Sequence, residues 1–217
     1  MFRLVSFLIG YVLGCLLTAY FVVKKVCGKS PFEIGSGNPG MANVMAQCGF
    51  EAGICVLVGD LLKTVLACVL TRFVIYSGET GTLACLYAGL GVVCGHNFPI
   101  WHRFKGGKGV SATCAAMFCM HPLLGIAAML VGMVVTFITK YLSVGALFIP
   151  IAFIPVAYMM CQKEGAAVYV LMSLIMLFCH RHDYVRITKG TEQKIDVPAL
   201  IKKKFFSGKK VTDKNWG

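Results

Sequence analysis

Apolar residues occur along this chain in long blocks that short polar segments separate. A block of about 20 apolar residues is long enough for one helix to cross a bilayer, whereas a half-buried strand would alternate apolar and polar residues. The blocks cover residues 4–23, 52–71, 82–95, 110–120, 123–139, 141–159 and 166–179. The pattern therefore predicts an all-α integral membrane protein with one domain, residues 1–196, followed by a basic cytoplasmic tail, residues 197–217.

Block 110–120 is short for a spanning helix, and His121-Pro122 follows it. If it joins 123–139 as one kinked helix, the chain has six spans. If it is a separate short helix, which a membrane tolerates beside a protein-enclosed cavity, the chain has seven. Seven spans with the N-terminus outside put the basic loops and the lysine-rich tail inside, as cytoplasmic segments usually are, whereas six put the tail outside. We therefore predict seven transmembrane helices, one of them short.

The composition agrees with a membrane protein. Hydrophobic residues make up 58% of the chain and charged residues 14%, against about 25% charged residues in soluble domains. The net charge of +12 would also suit a nucleic-acid-binding protein, but the excess lies in a few loops and the tail, so we predict no nucleic acid partner. The run 4–23 is too long for a signal peptide and has no clear small-x-small cleavage site, so we expect the first transmembrane helix there.

Most of the eleven cysteines lie inside the apolar blocks, and no CxxC pair occurs. A disulfide scaffold is typical of small secreted domains, whereas a free cysteine packs as a small hydrophobic residue. We therefore expect free thiols and not a disulfide scaffold.

The seven-span topology places three polar segments on one face of the membrane, residues 28–51, 95–112 and 180–196. The first contains GSGNPGMANV, whose glycines permit backbone angles closed to other residues, so that amides can point at one ligand. Its serine and asparagines add small hydrogen-bonding groups. A simple interhelical turn is the alternative. The candidate ligand-binding residues are Ser36, Asn38, Gly40 and Asn43.

The second segment contains GHNFPIWHRFKGGKGVSAT, residues 95–113. Lys105 and Lys108 flank Gly106-Gly107, and the short helix is expected to begin just after Gly109. Amides at a helix N-terminus suit an anion when lysines lie beside them, although the spacing of a Walker loop is absent. A basic loop that contacts lipid headgroups is the alternative, but it would leave the paired glycines unexplained.

The third segment, HRHDYVRITKGTEQKI at residues 180–195, follows the last predicted helix and is rich in histidine, arginine and acidic residues. Three interpretations compete: a metal site, a solvated juxtamembrane face, and the rim of an active site. The metal site lacks the further carboxylates or the Cys/His spacing that would complete it.

Two charges interrupt the second apolar block. Asp60 and Lys63 are three residues apart and so share one helix face. Each charge costs about 2.5–3.5 kcal/mol at the centre of a membrane helix, so we expect the two to face the bundle interior and pair. Such a pair could hold the helices together or could support a functional site, and both interpretations stay open.

Together these segments resemble the PlsY family of membrane-embedded acyl-phosphate:glycerol-3-phosphate acyltransferases, over about residues 1–195. The most specific likeness is GHNFPIWHRFKGGKGVSAT. GSGNPG through Asn43 is similar to the first family motif. The third family motif is similar to the third segment at His180-Arg181, Arg186 and Gly190-Thr191-Glu192. GDLLK in the second helix and KYLSVG, which holds Ser143, also resemble family segments.

The resemblance implies a reaction in bacterial phospholipid synthesis. An acyl group moves from acyl phosphate to the 1-hydroxyl of glycerol 3-phosphate, giving lysophosphatidic acid and phosphate. The protein would be a multi-pass protein of the bacterial inner or plasma membrane with its site facing the cytoplasm. Its partners would be both substrates, the bilayer and the enzyme that synthesises acyl phosphate. Acyl phosphate is already activated, so no cofactor or metal is expected.

The resemblance also assigns roles by position. His96 and His180 would orient substrate and Lys108 would bind phosphate, and these three are the implied catalytic residues. The implied substrate-binding residues are Ser36, Asn38, Gly40, Asn43, Lys105, Gly106, Gly107, Gly109, Ser143, Asp183 and Glu192. No Ser–His–Asp arrangement or HxxxxD pair occurs, so we expect direct attack by the glycerol hydroxyl, with a substrate phosphate oxygen or His180 taking the proton.

Four positions depart from the family pattern: Ala42 replaces a threonine, Ala46 an arginine, Phe32 a basic residue and Asp183 an asparagine. The arginine contact to a phosphate would be worth about 1.5–3 kcal/mol, and an ionised Asp183 is expected to repel the same anion. The GGKG segment, which would bind the acyl phosphate donor, therefore matches the family pattern, whereas the residues that would bind the glycerol 3-phosphate acceptor depart from it. Two alternatives stay open: a paralogue with a different acceptor, and a non-catalytic membrane protein that binds or transports an anion.

Overall fold

Every regular element in residues 1–194, the part of the chain that the computed structural model describes, is helical. A π-helical turn, Leu70–Ile75, continues α4, and three-residue 3-10 turns occur at Pro31–Glu33 and Ile100–His102. The predicted tail and the domain boundary at 196 lie outside the described residues. The α-helices are α1 (Phe2–Gly14), α2 (Thr18–Cys27), α3 (Met41–Cys48), α4 (Phe50–Val69), α5 (Gly78–Asn97), α6 (Val110–Met120), α7 (Pro122–Thr139), α8 (Leu142–Cys179) and α9 (Arg181–Thr188).

Five stretches of the described chain are long and apolar enough to cross a membrane, which agrees with the sequence pattern, and the all-α prediction is confirmed. The 11-residue helix α6 is too short to count among them. The five stretches are Phe2–Cys27, Phe50–Ile75, Gly78–His102, Pro122–Thr139 and Leu142–Cys179.

Helix α8 is a hairpin and not one rod. Cys161 (φ −132°, ψ 19°) and Gln162 (φ 54°, ψ −147°) leave helical geometry at its middle. In a straight helix Phe153 and Tyr169 would lie about 24 Å apart along the axis. Their ring centroids are 4.8 Å apart, so the limbs 142–160 and 163–179 pack against each other in antiparallel fashion.

Helices α6 and α7 are also separate. His121 (φ −149°, ψ 99°) lies between them, and its Nδ1 accepts a hydrogen bond from the amide of Leu124 at 3.3 Å. A Cβ atom on Gly125 would lie 3.0 Å from the carbonyl of Met117, so α7 folds back onto α6. The single kinked helix is therefore wrong, and two elements occur as the seven-span interpretation requires.

Helices α1 and α5 run parallel and in backbone contact. Gly10 and Gly14 of α1 meet the backbone of α5, and Gly91 and Gly95 of α5 meet the backbone of α1. Both pairs have the small-xxx-small spacing, which lets membrane helices approach closely where a larger side chain would hold them apart.

Arg72 explains how α6 can end inside the bundle. Its Nη1 donates to the carbonyl oxygens of Cys119 at 2.7 Å and Met120 at 3.4 Å, at the C-terminal end of α6. The last carbonyl groups of a helix have no partner within the helix, and a cation is favourable there. In a membrane, where water does not satisfy them, this capping lets an 11-residue helix end.

The ends of α2 and α3 are joined by a disulfide between Cys27 and Cys48, whose Cα atoms are 6.7 Å apart. The other nine cysteines in residues 1–194 are free thiols. The expectation of free thiols is therefore wrong for this one pair. Both members lie at helix ends outside the apolar blocks, and packing of α2 on α3 brings those ends together.

Gly91→Ala should destabilise the protein, because the new methyl group would press on the backbone of α1 at Phe7 and Tyr11. Overpacking of this kind costs about 1–3 kcal/mol. We expect a lower melting temperature for the purified protein in detergent. Ala127→Val, which enlarges an exposed position on α7, is the control and should leave melting unchanged. Equal melting of the two variants would contradict the close α1–α5 contact.

Candidate active site

Contacts connect the three polar segments at one end of the bundle. The rings of Phe32 in the first segment and His102 in the second have centroids 5.6 Å apart. Lys108 in the second segment forms an ion pair with Asp183 in the third. The second segment is therefore the link between the other two, and we call residues 105–109 the glycine-lysine loop.

The glycine-lysine loop folds back onto the end of α5. The amide of Gly107 donates to the carbonyl oxygen of His96 at 3.0 Å. Cβ atoms on Gly106 and Gly107 would collide with the carbonyl and the ring of His96. Gly109 has a left-handed φ of 76° and faces the side-chain amide of Asn97. The glycines thus allow the loop backbone to lie directly on the histidine, with the N-terminus of α6 immediately behind it.

Asp60 and Lys63 pair in the bundle interior, as predicted, with Lys63 Nζ 2.8 Å from Asp60 Oδ1. The structure adds His96, whose Nδ1 lies 3.0 Å from the same Nζ atom. All three side chains are buried. Thr18 and Ser111 donate to the two oxygens of Asp60 at 3.2 and 3.5 Å. The intramembrane charge pair is therefore part of the site's support.

Lys108 lies in a network of four charges. Its ammonium bonds the carboxylate of Asp183, whose Oδ1 also accepts from Arg186 Nη2 at 2.5 Å. Arg186 Nε in turn donates to Glu192 at 2.5 Å. Two cations and two anions sum to zero, so the two neighbouring cations offset the charge of Asp183, and its effect on an anion stays a prediction. An incoming phosphate must compete with Asp183 for Lys108.

His180 and Ser143 lie on the α9 side of the site. His180 is buried, and its Nδ1 lies 3.0 Å from the carbonyl oxygen of Met176. Burial lowers the pKa of His180 below its ordinary value, and nearby Lys108 lowers it further. The hydroxyl of Tyr184 donates to the carbonyl of Ser143 at 3.0 Å, and burial raises the pKa of Tyr184 to about 12. Within residues 1–194 the buried Ser143 hydroxyl has no hydrogen-bond partner.

Asn43 has a scaffolding role in the first segment. Its Nδ2 donates to the carbonyls of Ile34 and Asn38 at 3.1 and 3.0 Å, and its Oδ1 accepts from the amide of Ser36 at 3.0 Å. With both ends of its amide engaged, Asn43 shapes the loop, and Ser36, which is exposed, is the better placed to meet a ligand. No hydrogen bond among the described residues joins Ser36 to Lys108.

The remaining predicted residues lie in less constrained surroundings. Lys105 is exposed, Asn38 is half-buried, and Gly40 is the residue that precedes α3. Residues 1–194 contain no group of three or more His, Cys, Asp or Glu side chains that could hold a metal ion.

Two functional candidates escaped the sequence analysis. Both polar atoms of the Asn97 side chain are buried without a hydrogen-bond partner in the described residues, beside Gly109. Tyr184 fixes the position of Ser143 from another helix. Asn97 and Tyr184 lie inside the quoted second and third segments, but only their long-range contacts distinguish them from their neighbours.

Comparison with known proteins gives a consistent result. The family model described as Glycerol-3-phosphate acyltransferase matches residues 4–190. The chain is 40% identical over 201 residues to Glycerol-3-phosphate acyltransferase 1 of Lactobacillus johnsonii, covering 93% of this chain and 96% of that protein. It is 35% identical to the Glycerol-3-phosphate acyltransferase of Clostridioides difficile, covering 86% and 92% of the two chains.

The fold is similar to crystal structures of PlsY, an integral membrane glycerol 3-phosphate acyltransferase. The glycerol 3-phosphate form aligns with a TM-score of 0.75 and 24% identity, over 92% of this chain and 98% of that one. The lysophosphatidic acid form aligns with the same TM-score and 23% identity. At this level of identity the likeness establishes a shared fold.

Asp183→Asn should tighten the binding of inorganic phosphate, because it removes the carboxylate that competes for Lys108. A charged hydrogen bond is worth about 1.5–3 kcal/mol, so a gain of about tenfold in affinity is expected. Isothermal calorimetry with phosphate measures it. Glu192→Gln, which removes a carboxylate that contacts Arg186 but not Lys108, is the matched control. Weaker phosphate binding by the Asp183→Asn variant would show that the carboxylate supports the site and does not compete with the anion.

Proposed function

Because the chain belongs to the glycerol-3-phosphate acyltransferase family, we propose that it acylates glycerol 3-phosphate at its 1-hydroxyl and that the acyl donor is an acyl phosphate. The products are lysophosphatidic acid and inorganic phosphate. The observation that carries the proposal is the glycine-lysine loop, which lies on His96 and ends at the N-terminus of α6. A phosphate leaving group and a phosphate-bearing acceptor both suit such an anion site.

The proposed topology has seven crossings, with the N-terminus outside and the site facing the cytoplasm of a bacterial plasma membrane. Two sets of contacts support it. Arg3 near the N-terminus bonds Glu164 beside the α8 turn at 2.5 and 2.8 Å, so these segments share one end of the bundle. Tyr184 bonds the carbonyl of Ser143 at the other end. Counting the α8 hairpin as two crossings and adding α6 gives seven, and the basic loops then lie inside.

The donor-site residues fit a small anion. Phosphate would lie against the glycine-lysine loop, where backbone amides and Lys108 neutralise its charge. Acyl phosphate is itself an activated acyl group, so the reaction needs only binding, orientation and stabilisation of the charge that develops on the carbonyl oxygen. The substrate would arrive from the enzyme that synthesises acyl phosphate, which is the proposed partner.

The proposed chemistry balances in one displacement. Oxygen 1 of glycerol 3-phosphate forms a bond to the acyl carbon while the bond from that carbon to the phosphate oxygen breaks. His180 Nδ1 donates to a backbone carbonyl, which leaves Nε2 with a lone pair, and the lowered pKa keeps the ring neutral. Nε2 can therefore take the hydroxyl proton, which then passes to the departing phosphate.

A second candidate is a paralogue whose acceptor is a different polyol phosphate or a less anionic alcohol. The specific observation that favours it is the neutral sum of the charges around Lys108, together with the absence of an arginine at Ala46. A non-catalytic binding or transport protein is the remaining class, and turnover distinguishes it.

Purified protein in liposomes should release phosphate from acyl phosphate only when glycerol 3-phosphate is present, and lysophosphatidic acid should appear in equal amount. Release with another alcohol from an acceptor panel would favour the paralogue. No release with any acceptor would favour the binding class.

The same assay tests Lys108. Adding Lys108→Ala to the Asp183→Asn variant removes the lysine without leaving an unpaired buried carboxylate, so the single Asp183→Asn variant is its control. Turnover should fall below detection in the double variant while the melting temperature stays near that of the control. Equal rates in the two variants would refute the phosphate role of Lys108.

Ala46→Arg should lower KM for glycerol 3-phosphate by about tenfold, because it restores the cation that the family pattern has at this position on α3. Ala46 is exposed in the structure, so the longer side chain has room. Ala46→Gln adds bulk without charge and is the control. An unchanged or higher KM in the arginine variant would show that this position lies outside the acceptor site.

A further inference from the structure

The two ring nitrogens of His96 face different surroundings. Nδ1 points into the bundle, 3.0 Å from Lys63 Nζ and 3.6 Å from Asp60 Oδ1. Nε2 points the other way, against Gly107 of the glycine-lysine loop. Nε2 has no hydrogen-bond partner among the described residues. Which nitrogen carries the proton therefore determines what His96 offers to an anion held by the loop.

Lys63 settles the protonation of Nδ1. Its ammonium has three protons and four acceptors within reach: Asp60 Oδ1 at 2.8 Å, the carbonyl of Leu16 at 3.0 Å, His96 Nδ1 at 3.0 Å and the carbonyl of Gly14 at 3.3 Å. The three shortest contacts use the three protons. A proton on Nδ1 would point at the ammonium and would find Asp60 too far, at 3.6 Å, for a hydrogen bond.

We infer that Lys63 and Asp60 are positioning residues that hold His96 in the tautomer with its proton on Nε2, so that His96 donates a hydrogen bond to the anion at Gly107. Lys63 supplies the proton that Nδ1 accepts, and Asp60 holds the ammonium in place. Thr18 and Ser111 orient Asp60 from α2 and α6. A charge pair inside the membrane thereby determines the chemistry of a loop at its surface.

His180 has the opposite tautomer. A carbonyl oxygen only accepts, so His180 Nδ1 must carry the proton, and its Nε2 is the free acceptor. His96 lies against Gly107 of the glycine-lysine loop, and Lys108 of the same loop lowers the pKa of His180. One histidine therefore donates to the developing negative charge and the other accepts the hydroxyl proton. This division of roles rests on the proposed function, whereas the tautomer of each ring does not.

Nitrogen NMR of the wild-type protein tests the tautomers directly and needs no substrate. Protein labelled with ¹⁵N-histidine in detergent micelles shows, for each ring, which nitrogen is protonated. His96→Asn and His180→Asn assign the two spectra. We expect a proton on Nε2 of His96 and on Nδ1 of His180. A proton on Nδ1 of His96 would overturn the inference whatever the activity of the protein is.

The effect of Lys63 is tested in a variant that removes both charges, Asp60→Asn with Lys63→Met, so that no buried carboxylate is left unpaired. We expect the His96 spectrum to change to a mixture of tautomers, and kcat to fall by up to about 100-fold with a smaller change in KM. Arg72→Met is the matched control, because it removes a cation of the π-helical turn after α4 that bonds the end of α6 and does not touch His96. Its His96 spectrum should stay that of the wild type.

The spectroscopic result tests whether Lys63 and Asp60 position His96, and the kinetic result tests whether that position affects catalysis. A wild-type His96 spectrum in the double variant would overturn the positioning role. A tautomer mixture with unchanged kcat would overturn the catalytic consequence. If wild-type protein turns over no acceptor at all, the proposed function fails, while the NMR result still decides the tautomer.

Discussion

Helix ends inside a membrane require donors, and α4 supplies them to two helices. Lys63 donates to the carbonyl of Leu16, where α1 breaks before α2, and Arg72 donates to the last carbonyls of α6. In hydrocarbon an unsatisfied carbonyl costs free energy, so such a partner stabilises each break. The break in α1 lies beside Lys63 and His96, near the end of the bundle where the polar segments meet, whereas the end of α6 lies at the opposite end. Of the two cations, Lys63 is the one that supports the site.

Lys63 also contributes to the chemistry of the site, through His96. A buried lysine needs compensation, which Asp60 provides, and the pair then has one donor left for His96. Around Lys108 the balance is different, because the carboxylate of Asp183 already pairs with the lysine and a substrate must displace it. The Lys63 side of the site is thus held by buried partners, whereas the side chain of Lys108 is partly exposed. This contrast fits a protein that must bind an anion and release one in each cycle.

Periodicity and charge predicted much of the fold, since the break before Pro122 and the Asp60–Lys63 pair follow from local spacing. The break between α1 and α2 inside the block 4–23 was not predicted. The close α1–α5 contact was not predicted, because the pattern of small residues does not say which helices meet. Contacts between residues far apart in the sequence also determined the roles of the site residues. Asn43 looked like a ligand group and proved to hold its own loop, and His96 gained its partners from a helix more than thirty residues earlier. The disulfide was missed for the same reason, since only tertiary packing brings Cys27 near Cys48.

The turns at the end of the bundle opposite the site are very tight. Two residues, Tyr76 and Ser77, separate the π-helical turn from α5, His121 alone separates α6 from α7, and Cys161 with Gln162 makes the bend in α8. Such short connections offer little exposed backbone to which a water-soluble protease, antibody or regulatory domain could bind. Among the described residues, the longer connections that could contact soluble molecules therefore lie at the end of the bundle that carries the site.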